Sequence, residues 1–249
     1  MKDYQFEICA NSVESCLAAQ EGGAHRVELC AAIPEGGTTP SYGEIAIARK
    51  LLDIKLHVII RPRGGDFLYT PLEIETMLED IQLCKQLQVD GVVFGCLQAD
   101  GHLDVQAMQK LMDASKGLSV TCHRAFDACK DPYRALEELI KLGCDRILSS
   151  GQAERAELGI PLLRQLECRN QGRIKLLVGC GVNESNINKI AKETGLKEFH
   201  FSARENKESL MTFRRKRIPM GNSENIDEFN RAVTTVRRVR NTIAQLQKC

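Results

Sequence analysis

The sequence predicts a single α/β domain over residues 1–249, a parallel (β/α)8 TIM barrel with a long connection between its eighth strand and its last helix. Three observations predict it. Short β-rich runs alternate with helical patterns from end to end, eight of them. Such alternation makes each helix a crossover and so demands parallel pairing. The length of 249 residues is that of one closed barrel, and no linker, low-complexity stretch or composition break marks a second domain. An open doubly wound sheet can use the same pattern, but an even count of eight favours closure.

The strands are expected at 6–11, 26–31, 56–61, 91–95, 119–124, 146–151, 175–181 and 198–203. The helices between them carry start signals. Ser12 is placed to cap the first, and Ser41 with Glu44 forms a Ser-x-x-Glu capping box for the second. Thr70-Pro71-Leu72-Glu73 offers a cap, a proline at the first helical position and a glutamate at the third, and Asp131-Pro132 opens the fifth helix similarly. Gly22, Gly143 and Gly195 stand where helices should stop. Residues 204–225 form a connection far longer than usual, with Arg204, Lys207, Arg214, Arg215, Lys216 and Arg217 in it. It reads either as a functional or assembly segment or as a solvated basic loop. The helix after it is read from an apolar stripe at Phe229, Val233, Val236, Ile243 and Leu246.

Composition narrows the function classes. The chain is 43% hydrophobic and 27% charged with a net charge of +1, which argues against nucleic acid or an acidic membrane surface as the main partner. Met1-Lys2-Asp3-Tyr4-Gln5 lacks the features of a secretory signal, and no stretch approaches the roughly 18 apolar residues of a membrane span. The expectation is a cytoplasmic protein. Its eleven cysteines are odd in number, irregularly spaced and without a C-x-x-C pair. A disulfide framework is therefore not expected, and most thiols read as small buried hydrophobes.

Barrel strands alternate between the helices and the interior. With Phe6 and Ile8 outward, Glu7 and Cys9 turn inward; with Val27 and Leu29 outward, Glu28 and Cys30 do. The same parity turns in His57, Ile59 and Arg61 on the third strand, Thr121 and His123 on the fifth, and His200, Ser202 and Arg204 on the eighth. An interior built only for stability would be Val, Ile and Leu. Buried charges cost several kcal/mol each, so these must pair with one another or meet a ligand.

Three readings remain open. The first is a structural network in which Glu7 and Glu28 neutralise Arg61 and the histidines donate hydrogen bonds. The second is an anion site. Gly179-Cys180-Gly181 after the seventh strand and Ser202-Ala203-Arg204 after the eighth occupy the recurrent phosphate-binding place of such barrels. His200, Arg61, Arg63 and Asp66 would complete it, with Glu7, Glu28 or His123 as general acid or base for a small anionic or phosphorylated metabolite. The third is a metal. Cys9 and Cys30 lie on neighbouring strands about 4.8 Å apart, and two thiolates form a soft donor set suited to Cu(I).

The strings Gly22-Gly23-Ala24-His25-Arg26-Val27-Glu28-Leu29-Cys30, Glu35-Gly36-Gly37-Thr38-Thr39-Pro40-Ser41, Ile-Arg-Pro-Arg-Gly-Gly-Asp-Phe over 60–67 and His123-Arg124-Ala125-Phe126-Asp127 carry a family resemblance. With residues 6–9 and 198–204 and Met220-Gly221, the chain resembles the CutC family, named for copper homeostasis, across essentially its whole length. The resemblance implies a single β/α barrel, a role in copper tolerance, and Cys9 and Cys30 as the copper ligands. Cys84, Cys144 and Cys249 match no family motif, and Cys180 stands where relatives often carry glycine or alanine. The leading expectation is thus a cytoplasmic copper-homeostasis protein binding Cu(I). The alternative is an enzyme acting on a small anion at the same mouth. A homodimer is expected as well, because dimers are common for such barrels and the long basic connection could serve an interface.

Overall fold

The computed structural model describes residues 4–215 and 227–247. Met1, Lys2 and Asp3, Lys216, Arg217, Met220, Gly221 and Asn225 of the long connection, and Cys249 lie outside the described residues. Eight strands close in sequence order into a parallel barrel, with the eighth pairing back to the first. They are β1 (Gln5–Ala10), β2 (Arg26–Leu29), β3 (Lys55–Ile59), β4 (Gly91–Phe94), β5 (Ser119–Cys122), β6 (Arg146–Ser149), β7 (Lys175–Val178) and β8 (Glu198–Phe201). The crossover helices are α1 (Val13–Glu21), α2 (Tyr42–Leu51), α3 (Pro71–Gln86), α4 (Val105–Ala114), α5 (Pro132–Leu142), α6 (Ile160–Asn170) and α7 (Ile187–Thr194), and α8 (Val236–Gln247) completes the ring.

The start signals act as their chemistry predicts. Ser12 accepts from the Ser15 amide at 3.1 Å. Ser41 with Glu44 and Thr70 with Glu73 form full capping boxes. Asp131 accepts from the Tyr133 and Arg134 amides, both at 3.0 Å. Gly22, Gly143 and Gly195 take the C-cap positions. The alternation also holds: Phe6, Ile8, Val27, Leu29, Leu56, Val58, Val120, Cys122, Phe199 and Phe201 join the apolar core, while Glu7, Glu28, His57, Thr121 and His200 are buried polar residues of the same strands.

Two expectations are corrected. The connection after β8 contains an antiparallel hairpin, β9 (Arg204–Glu208) against β10 (Asn230–Thr234), and the last helix begins only at Val236. Phe229 and Val233 lie before that helix, and its buried stripe is Val239, Ile243 and Leu246. The four-residue spacing of Phe229 and Val233 imitates one helical turn, and the polar strand Arg204–Glu208 has no apolar alternation to announce itself.

The second correction concerns Arg61. It forms no ion pair among the described residues, and Glu7 is held by Arg26 and His200 instead. Register explains this: Glu7 pairs with Arg26 across β1 and β2 and with His200 across β1 and β8. Arg26, Ser119, Arg146 and Glu198 are the first residues of their strands and form a ring at the amino-terminal end of the barrel. Arg26 donates to Glu7 and, at 3.3 Å, to Glu198. Arg146 donates to Glu198 at 2.9 Å and to the Ser119 hydroxyl at 2.8 Å. Above this ring sits His57, in space that Gly91 leaves open. A Cβ at Gly91 would come within 2.6 Å of both His57 Nε2 and the Ser119 carbonyl. Burial pushes His57 down to about 3, so it is neutral.

Candidate functional site at the barrel mouth

At the carboxy-terminal end of the strands a cavity of about 210 Å³ is lined by Cys9, Glu28, Cys30, Arg61, His123 and His200, with Ile59, Phe67 and Leu148 among its apolar walls. Cys9 is the fifth residue of β1, and Cys30 follows directly on β2. Cys9 pairs in register with Glu28, so Cys30 lies two positions further up its strand. The stagger of a closed barrel still brings the sulfurs together diagonally, with Sγ–Sγ at 3.9 Å. A Glu28 carboxylate oxygen lies within 4.8 Å of both sulfurs.

The electrostatics around this pair are asymmetric. The hydrogen bond from Cys30 holds the Cys9 thiol well below its ordinary range, and His200 and Arg204 act in the same direction against burial. Cys30, as the donor and buried, is pushed well above its range. The two sulfurs are thus unequal, Cys9 shifted toward the thiolate and Cys30 toward the thiol. Burial alone would lower His200, but its contacts with Cys9 and Glu7 raise it well above the usual imidazole range. Its Nδ1 lies 2.7 Å from Glu7 Oε1 and its Nε2 lies 3.7 Å from Glu28 Oε2. Burial pushes Glu7 up, yet Arg26 and His200 outweigh that and hold it ionised. Burial raises Glu28 to about 8, so it carries a proton at neutral pH. By contrast, burial pushes the Cys16, Cys84, Cys96 and Cys144 thiols up to about 12. Those behave as inert apolar side chains, as their residue type suggests.

The opposite wall is built on β3 and β5. Arg61 is 4% exposed and donates through Nη1 to the Glu35 and Gly37 carbonyls and through Nη2 to the Gly65 carbonyl. Positive φ at Gly36 and Gly37 (86° and 93°) wraps that loop around the guanidinium. Arg61 Cζ lies 5.2 Å from the Phe67 ring centroid, and the His123 ring packs at 4.9 Å on the same phenyl group. His123 Nδ1 accepts from the Ala125 amide at 3.2 Å. Burial, with Arg61 adding to it, pushes His123 down to about 3. The imidazole is therefore neutral and carries its proton on Nε2.

The remaining predicted residues are placed elsewhere. Arg63 pairs with Glu73 at 2.5 Å and with Asp66 at 3.0 Å on the surface, outside the cavity lining. Gly181, Ser202 and Arg204 line a separate hollow beside α8, together with Glu184 and Arg238. There the Glu184 carboxylate receives Arg238 at 2.9 Å, so the place foreseen for phosphate already holds an anion of the chain itself. Gly179 lies under His200. A Cβ added at this glycine would come within 2.5 Å of Leu148 Cδ1 and 3.2 Å of the imidazole, so its absence leaves room for both side chains. Arg204 reaches back across β1 and donates to Cys9 Sγ at 3.3 Å.

Sequence reasoning missed Arg26, Arg146 and Glu198 as partners, although Arg26 shares the parity of Glu28 and Glu198 that of His200. It also missed the task of Asp127. This carboxylate accepts from the Ser149 hydroxyl at 2.7 Å, the Ser150 amide at 3.0 Å, the Gln152 amide at 3.2 Å and Arg124 Nε at 2.7 Å. It fastens the loop after β5, which carries His123, to the loop after β6.

Comparisons with known proteins bear on the fold and the family. The CutC family model matches residues 4–205. A CutC family protein of Bacteroides fragilis is 65% identical over 247 residues, covering 99% of this chain and 98% of that one. A human protein named copper homeostasis protein cutC homolog is 45% identical over 244 residues, covering 97% and 89%. The solved CutC structure from Streptococcus agalactiae superposes with a TM-score of 0.77 at 36% identity, covering 80% of this chain and 98% of its own. Phosphoribosyl anthranilate isomerase from Thermotoga maritima, at 12% identity and a TM-score of 0.60, shares the fold alone. On the matched family model and these relatives, the chain belongs to the CutC family.

Proposed function

We propose that this protein handles copper in the cytoplasm, taking Cu(I) as cargo between Cys9 and Cys30 at the barrel mouth. One observation carries the reading: two sulfurs 3.9 Å apart, open to a cavity, one of them held toward the thiolate that a metal requires. With sulfur–metal bonds of about 2.3 Å, as for zinc thiolates, that separation corresponds to an S–metal–S angle of about 115°. The angle suits a three-coordinate ion better than a linear one, and Glu28, within 4.8 Å of both sulfurs, would supply the third position on giving up its proton to solvent. Soft sulfur donors favour Cu(I) over hard cations. The names of the human and streptococcal relatives support the same assignment.

The cytoplasmic placement is supported by ten free cysteines among the described residues. No described helix is long and apolar enough to cross a membrane. The homodimer stays part of the proposal, and sedimentation of the purified chain tests it.

Titrating the reduced metal-free protein with Cu(I) against a competing chelator tests the central claim. The Cys9→Ser, Cys30→Ser double variant should lose the site, while Cys180→Ser, whose sulfur contacts the Glu154 carbonyl at 3.1 Å, should keep it. Equal copper affinity in parent and double variant would sink the reading.

A further inference from the structure

The proposed copper site takes only one side of the cavity. The other side carries two hydrogen-bond donors with nothing to bind. Arg61 Nε and His123 Nε2 are buried and have no hydrogen-bond partner among the described residues. Both side chains line the cavity, and both are more than nine-tenths buried, at 4% exposure each. Leaving a buried donor unsatisfied costs about 1–3 kcal/mol, and more on a charged group. The Arg61 charge has no carboxylate partner among the described residues: its guanidinium is met by three carbonyls and a phenyl face. A buried cation compensated only by dipoles is a site prepared for an anion.

The shape of the wall narrows the ligand. Phe67, against which both donors pack, and Ile59 and Leu148 give this half an apolar lining. Arg124 also lines the cavity, but its guanidinium is engaged by Asp127 and the Ser150 hydroxyl. The unpartnered donors of this wall are one guanidinium N–H and one neutral imidazole N–H, which suit a monoanion better than a phosphate dianion. The volume of about 210 Å³ is roughly that of seven waters of liquid, enough for a compact organic acid. Arg61 and His123 pack on the same Phe67 ring, so a ligand that meets both free donors lies beside that phenyl group.

We propose that the mouth cavity binds a small organic monocarboxylate, its oxygens taking hydrogen bonds from Arg61 Nε and His123 Nε2 and its carbon body lying against Phe67, Ile59 and Leu148. This site shares the cavity with the cysteine pair but none of its ligands, so it stands or falls independently of copper binding.

The test uses the full reduced chain with metal removed. Isobutyrate, its neutral isostere isobutyramide and inorganic phosphate are titrated by calorimetry, and the Arg61 Nε–H resonance is followed by NMR. Isobutyrate should bind saturably and shift that resonance, with the amide at least about tenfold weaker, as expected for loss of a charged hydrogen bond. His123→Asn places an amide oxygen where Nδ1 accepts and deletes Nε2, so it should fold as the parent does and weaken isobutyrate by about tenfold. Arg61→Lys should weaken it as much or more. The Cys9→Ser, Cys30→Ser variant should bind isobutyrate like the parent even where copper binding is lost. Equal binding of acid and amide, preference for phosphate, an unmoved Arg61 resonance or no saturable binding of isobutyrate would each overturn the proposal.

Discussion

The two ends of this barrel treat buried charge in opposite ways. At the amino-terminal end, Arg26, Arg146, Glu7 and Glu198 satisfy one another, and none of their buried polar atoms is left without a partner, although both ring nitrogens of the neutral His57 above them are. At the mouth, Arg61, His123 and Arg204 each keep a buried nitrogen without one. The strand parity that turns these residues inward is the same at both ends. The difference lies in what the neighbouring strand offers at the same height: a carboxylate below, a thiol, an apolar wall or a carbonyl above. The lower ring closes the barrel, and the upper set leaves binding capacity unspent. This matches the general division of such barrels into a stabilising face and a working face.

That contrast can be broken most forcefully from below. Arg26→Met strips Glu7 of its main counterion in a fully buried position, and removing one member of a buried pair costs about 3–5 kcal/mol. Urea denaturation should register that loss, whereas Arg61→Lys at the mouth should cost far less. Comparable losses would mean that Arg61 is as structural as the lower ring.

Acid should then expose the mouth. His123 is held neutral down to about 3 by burial, with Arg61 contributing, while in the unfolded chain it titrates near 6.5. Its folded value is lower, so between the two the unfolded chain binds more protons. The contribution of His123 to stability is complete above pH 6.5 and is lost as the pH falls from there toward 3. The slope from this one group is at most about 1.4 kcal/mol per pH unit, and His123→Asn should flatten the stability profile over that window by this amount.

The smallest effect belongs outside both ends. Arg63→Ala removes two ion pairs, to Glu73 and to Asp66, of an arginine whose side chain is 38% exposed. Thermal melts should show at most about 1 kcal/mol, and both copper and isobutyrate affinity should stay at the parent level. A loss of either ligand would return Arg63 to the site.

Much of this is legible in the sequence, and the limits have physical causes. The caps at Ser12, Ser41, Thr70 and Asp131 depend on neighbours within four residues, so local spacing reveals them. Parity along a strand is equally local, and it turns Glu7, Glu28, His57 and His200 inward, where the structure has them buried. Partners across strands are a different matter. Which carboxylate meets Arg26 depends on register and barrel stagger, which no single segment encodes, and so parity alone offers Glu7 the wrong arginine. The β9–β10 hairpin escapes for another reason. Its strands read Arg-Glu-Asn-Lys-Glu and Asn-Arg-Ala-Val-Thr, too polar for an alternation and too short for a period. The cysteine pair is visible as a pair, but its asymmetry is not, because it is reinforced by His200 and Arg204, brought by β8 and β9 from the far end of the chain.

Asp127 has a bearing on how portable this mouth is. Its carboxylate is not itself among the cavity-lining residues, yet it holds Arg124, which is, and ties two neighbouring loops together. Anyone grafting the cysteine pair and the Arg61–His123 wall onto another barrel would have to carry this aspartate and its serines along. Without them the grafted residues would have the right identities at the wrong elevations. The unit that can be inherited, or transplanted, is therefore the rim with its fastening, rather than the residues that face the ligand.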